Sequence, residues 1–135
     1  MNSDLIPKLI WIAGGIQAGI VFANFLLPRM LQVRAGVSCL PHFLKQVFYV
    51  HWVYIVIVVG FFSVLSFGFA HELSGASALG RFLSAFMAGF WLLRIVLQWF
   101  YYDPAILHRH RFLYTLYTSS LIALIGIFAM AAMHR

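Results

Sequence analysis

An all-α integral membrane bundle of four helices, running up, down, up and down, is the fold class that this sequence predicts. Three observations predict it. Of 135 residues, 64% are hydrophobic and only 9% are charged. With a mean hydropathy of +0.95, that leaves too little polar surface to cover a water-soluble globule of this size. The apolar residues gather into four stretches, each near the roughly 20 residues that a helix rising about 1.5 Å per residue needs to cross about 30 Å of hydrocarbon. The connections between them are short, which makes successive spans antiparallel neighbours.

The first span runs from Leu9 to Leu27 (LIWIAGGIQAGIVFANFLL). Lys8 precedes it as it would a secretory signal. Its length, the polar Gln17 and Asn24, and Pro28 and Arg29 in place of a small-residue cleavage site predict a retained helix. Gly15 and Gly19, with Ala18 beside them, form a GxxxG pattern read as close helix packing within the bundle. The first loop is broken by Pro41, which can start a short interfacial helix leading into the second span, Val47 to Ala70. The stretch HELSGASALGR that follows is rich in Gly and Ser and reads as a turn-forming loop. The third span, Phe82 to Tyr101, ends at Asp103 and Pro104, a helix stop, and the fourth covers Phe112 to Met133. The four spans make one transmembrane domain over residues 1–135 and leave no room for a soluble one.

The net charge of +6 would suggest nucleic acid in a soluble protein; here anionic lipid headgroups are its expected partner, and no nucleic acid is expected. Trp and Tyr lie mostly near span ends, where amphipathic rings settle at the interface. Loops one and three carry Arg29, Arg34, Lys45, Arg109 and Arg111, against Lys8, Arg81 and Arg135 on the opposite side. That bias places loops one and three in the cytoplasm of a bacterial-type inner membrane. Arg109 and Arg111 are the expected headgroup-binding residues.

Arg94 stands in the apolar run FWLLRIVLQWF. A charge inside a bilayer costs on the order of 2.5 to 3.5 kcal/mol on insertion scales, so this arginine is expected to face the bundle and find partners. Counted from the end that holds the termini, at about 1.5 Å per residue, Asn24, Arg94 and Gln98 all lie roughly 19 to 25 Å in. His51 enters from the other side to a similar level, and so do Thr115 and Thr118. Trp91, Arg94 and Gln98 follow one another at helical spacing, as do His51 and Tyr54. The expectation is a polar layer, with Asn24, Gln98 and, where the helix end bends back, Asp103 accepting from Arg94. Set against it is a purely structural reading, in which polar side chains only tie helices together and the arginine snorkels to headgroups.

Three functions follow from these residues. The preferred one is a non-catalytic accessory subunit, or a module holding a lipid phosphate or a quinone carbonyl. Its candidate ligand-binding residues are Arg94, Gln98, His51, Asn24, Tyr54, Trp91, Thr118 and Asp103. A larger membrane complex or a homo-oligomer is its expected setting. The first alternative is a haem protein in electron transfer or haem handling, with haem b between His51 and His108 or His110. The second is a small enzyme acting on lipid or isoprenoid. Catalysis has little to work with, because the only acids are Asp4, Glu72 and Asp103. No zinc motif is present in the histidine and cysteine spacing.

The segment WIAGGIQAG followed by LPRM resembles, over about twenty residues, the first helix of the four-helix protoporphyrinogen oxidase and copper-resistance membrane families. Those haem-handling proteins would have a histidine before the Trp, where this sequence has Leu5. No functional residue carries over.

Overall fold

Helix order follows the hydropathy. The computed structural model of the chain describes residues 4–30, 33–75, 77–101 and 111–133, with backbone alone at 27–30, 33–34 and 101. Four long helices dominate: α1 (Leu5–Met30), α3 (His42–Gly68), α5 (Ala78–Tyr101) and α6 (Arg111–Met133). Two short helices lie between them, α2 (Val33–Ser38) and α4 (Ala70–Ser74). All four long helices have the length and apolarity to cross a membrane, and among the described residues there is no strand. The chain is an all-α, multi-pass integral membrane protein.

The local chemistry explains the helix ends. Pro7 sits in the first turn of α1, where backbone N–H groups have no partner within the helix and a missing one costs nothing. Ser77 caps α5, its Oγ accepting from the Gly80 N–H at 3.1 Å. Pro41 precedes α3, whose first turn closes through the Lys45 N–H to the Pro41 carbonyl at 3.1 Å. No separate interfacial helix starts at Pro41. The residues after it run unbroken into the membrane-spanning part, 27 residues in all, and the short helix of loop one lies before the proline instead.

The long helices pair as two hairpins, α1 with α3 and α5 with α6, and the hairpins meet along α1 and α6. Contacts within each hairpin run in antiparallel order. Trp11 meets Phe67 and Phe25 meets Trp52 across the first, while Arg81 meets Ala132 and Gln98 meets Thr118 across the second. α3 reaches α5 through rings, Phe62 standing edge-on to Phe86 and Phe90. Heptad-like spacing builds the seam: Ile6, Ile10, Ala13, Gln17 and Ile20 of α1 are all buried, as are Leu121, Leu124, Phe128 and Ala131 of α6.

Two expectations change here. The Gly and Ser-rich stretch after α3 is not an open loop. Its first half forms α4, which packs against α1 and α5, and Ser84 Oγ donates to the Leu73 carbonyl at 2.9 Å. Gly80 makes the close approach feasible, since a Cβ there would overlap the Glu72 carbonyl. The GxxxG pattern is also not an internal packing seam. Gly15 and Gly19 have no side-chain neighbour where a Cβ would stand, whereas a Cβ on Gly14 would lie 3.1 Å from Ser66 Cβ. The buried stripe of α1 passes through Ala13, Gly14 and Gln17, and rotation of about 100° per residue carries Gly15 and Gly19 off it.

Burial is uneven along the bundle. In α3 the buried residues begin at Val59, and in α6 they begin at Leu121. Residues 42–58 of α3 and 111–120 of α6 contain no buried position. The packed core lies toward the end where α1 starts and α6 finishes, and buried positions thin out toward the end that holds loops one and three.

Candidate functional site

Arg94 is half-buried in α5, at the level where buried positions begin to thin out. It stands about 10 Å of helix rise before the end of α5 at Tyr101. Its guanidinium carbon lies 5.5 Å from the centroid of the Tyr117 ring on α6, within the range where a cation is held by a ring's negative face. Thr118, the next residue of α6, accepts from Gln98 Nε2 at 2.9 Å. Arg94 and Gln98 therefore face the same stretch of α6, as their four-residue spacing requires.

Trp91 and Gln98 lie on the fully buried stripe of α5, each 1% exposed, with Met87 and Ile95. Both carry an unmet polar atom: among the described residues Trp91 Nε1 has no acceptor and Gln98 Oε1 has no donor. In a protein interior such a bare group costs about 1 to 3 kcal/mol, and few are retained. Arg94 does not satisfy Gln98 Oε1, contrary to the expected pairing. It lies on the rim of that stripe and points to Tyr117.

The remaining expected residues fall elsewhere. Asn24 is half-buried and its Nδ2 donates to the Ile20 carbonyl of its own helix at 2.8 Å. His51 is exposed on α3, with Nδ1 2.8 Å from the Val47 carbonyl. Tyr54 is 64% exposed. The depth count put these groups at one level, and level alone does not say which way a helix face turns. The unburied first half of α3 leaves His51 and Tyr54 outside the α5 and α6 cluster. Arg111 is exposed at the start of α6. Asp103, Arg109, His108 and His110 lie outside the described residues, and with them both loop histidines of the haem alternative. Among the described residues no group of three metal-ligating side chains gathers.

A second polar contact was not anticipated. Gln17 of α1 is fully buried against α3. Ser63 Oγ donates to the Gly14 carbonyl at 2.9 Å, and Ser66 Oγ lies 2.8 Å from the Phe62 carbonyl and 3.0 Å from Gln17 Oε1. One hydroxyl proton cannot serve both acceptors. Turning the amide over resolves this, with Nε2 donating to Ser66 Oγ while Ser66 donates to Phe62. In either orientation one end of the Gln17 amide is bare, Nε2 as placed. The sequence signal was Ser63 and Ser66, three apart in an otherwise apolar span and on the face of Val59 and Phe62.

The chain matches no protein-family model, no curated protein and no solved structure. The short likeness of the first span to the haem-handling families therefore assigns no family.

Proposed function

We propose that this small integral membrane protein is a non-catalytic module that holds the polar head of a membrane amphiphile, a lipid phosphate or a quinone carbonyl, at Arg94. The observation that carries this reading is a half-buried guanidinium set over the Tyr117 ring at the end where buried positions give out. A guanidinium offers a planar fork of donors suited to phosphate or carbonyl oxygens. Keeping it within a span costs on the order of 2.5 to 3.5 kcal/mol unless an acceptor offsets the charge. The Tyr117 ring holds the guanidinium from one side, and the sparsely buried end gives an acyl or isoprenoid chain apolar helix surface to lie along.

A catalytic role has less support. Of the three acids, Asp4 and Glu72 belong to the opposite end of the bundle, so a carboxylate for proton transfer near Arg94 would have to come from Asp103. The excess of arginine and lysine in loops one and three supports a cytoplasmic side for them. The first half of α3, apolar and unburied, suits packing against a larger membrane partner.

Extraction tests the proposal. Wild type and Arg94→Gln are purified in a mild detergent, and bound lipids and quinones are identified by mass spectrometry. Wild type should retain one phospholipid or quinone species that falls about tenfold in Arg94→Gln, the equivalent of one charge-assisted contact. Equal retention by the two would overturn it.

A further inference from the structure

At the other end of the molecule, where α1 begins and α3 gives way to α4, a lateral pocket of about 400 Å³ is lined by Asp4, Lys8, Trp11, Phe67, Gly68 and His71, among others. It lies at the ends of two membrane spans, the level of lipid headgroups, far from Arg94. Its lining carries both signs of charge. Asp4 immediately precedes α1 and Lys8 stands in its first turns, and neither makes an ion pair among the described residues. His71 faces them from α4. Trp11 and Phe67 stand edge to face with centroids 4.7 Å apart, an apolar wall on the membrane side. Gly68 leaves the floor open, since a Cβ there would meet nothing within 4 Å.

We infer that this pocket seats the headgroup of an aminophospholipid, a phosphoethanolamine carried on a diacyl anchor. Lys8, with His71 beside it, supplies donors for the phosphate oxygens, and Asp4 accepts from the primary ammonium. The Trp11 and Phe67 rings cover the glycerol and the first methylenes of the chains, the placement that aromatic side chains favour at the interface. A glycerol headgroup would offer the Asp4 carboxylate hydroxyls but no ammonium to offset its charge. A trimethylated amine would offer that carboxylate no N–H. The site thus selects the amine through Asp4 and holds the phosphate through Lys8 and the His71 N–H.

Native mass spectrometry on protein taken from nanodiscs of equal phosphatidylethanolamine and phosphatidylglycerol reads this out. Wild type should retain the ethanolamine lipid over the glycerol lipid by at least about fivefold, as one exposed charge contact allows. Asp4→Asn should bring the ratio close to one, and Gly68→Leu, which fills the floor and alters no charge, should lower ethanolamine-lipid retention. The preference should persist in Arg94→Gln, so that loss of the site at Arg94 and loss of this one are read separately. Equal retention of the two lipids by wild type, or a preference that survives both Asp4→Asn and Gly68→Leu, would refute the inference. Displacement of the lipid by soluble glycerophosphoethanolamine at millimolar concentration would likewise count against an anchored ligand.

Discussion

Gln17 and Ser66 meet 3.0 Å apart between α1 and α3, both fully buried, and the glutamine amide has one end that no group among the described residues satisfies. Ser66→Ala should therefore cost about 1 kcal/mol, the usual worth of a hydrogen bond between membrane helices. Gln17→Leu removes the bare atom along with the bond and should lie within about 0.5 kcal/mol of wild type. Reversible unfolding by detergent titration measures both. A Gln17→Leu variant as unstable as Ser66→Ala would mean that the amide is fully satisfied.

Two neighbouring glycines should behave in opposite ways. A methyl group on Gly14 would press on Ser66 Cβ at 3.1 Å and the Phe67 ring at 3.2 Å, so Gly14→Ala should destabilise by about 1 to 3 kcal/mol as α1 and α3 are forced apart. At Gly15 the same methyl meets open space, and Gly15→Ala should be neutral or slightly stabilising through helix propensity. The same unfolding titration compares them.

Gly80 tests whether α4 is structural. An added Cβ would run into the Glu72 backbone carbonyl, which cannot move aside as a flexible side chain would. Gly80→Ala should lower stability by about 1 to 3 kcal/mol, while Gly126→Ala, with open space around it, should not. Thermal unfolding of the two in one detergent would settle the matter, and equal melting temperatures would show that α4 yields freely.

The Arg94 and Tyr117 contact predicts a ring dependence. Tyr117→Phe should retain the interaction; Tyr117→Leu should lose about 0.5 to 2 kcal/mol of it. A double-mutant cycle with Arg94→Gln isolates the term. Coupling that vanishes equally in the phenylalanine variant would assign the interaction to the phenol oxygen.

Much of this arrangement could be read from residue order. The four spans followed from hydropathy, and the three- and four-residue spacing correctly put Trp91 and Gln98 on one stripe. The depth count brought Gln98 level with Thr118, its observed partner. Depth has no azimuth, however, and so it gathered His51 and Tyr54 into a layer from which the turn of α3 excludes them. Nor could spacing choose between Gly14 and Gly15 as the packing glycine. That choice depends on which neighbour α1 faces, and the α3 serines that fix it are about fifty positions away. α4 escaped notice because five residues are too few to show a helical period, and Gly and Ser flanking them read as a turn. The binding roles of Arg94 and its neighbours rest on the retention experiments described above.

The pairing of the helices also bears on how the chain enters the membrane. Gln17 finds Ser66 within the first hairpin, and Gln98 finds Thr118 within the second. A hairpin released into lipid as it is synthesised thus already covers its own glutamine in part, before the other hairpin exists. Joining the two then calls mainly for contact between apolar faces along α1 and α6, which can form late and in either order of arrival. A chain cut at residue 76 should for that reason yield two separately insertable halves, and their reassembly on co-expression would be the sign of it.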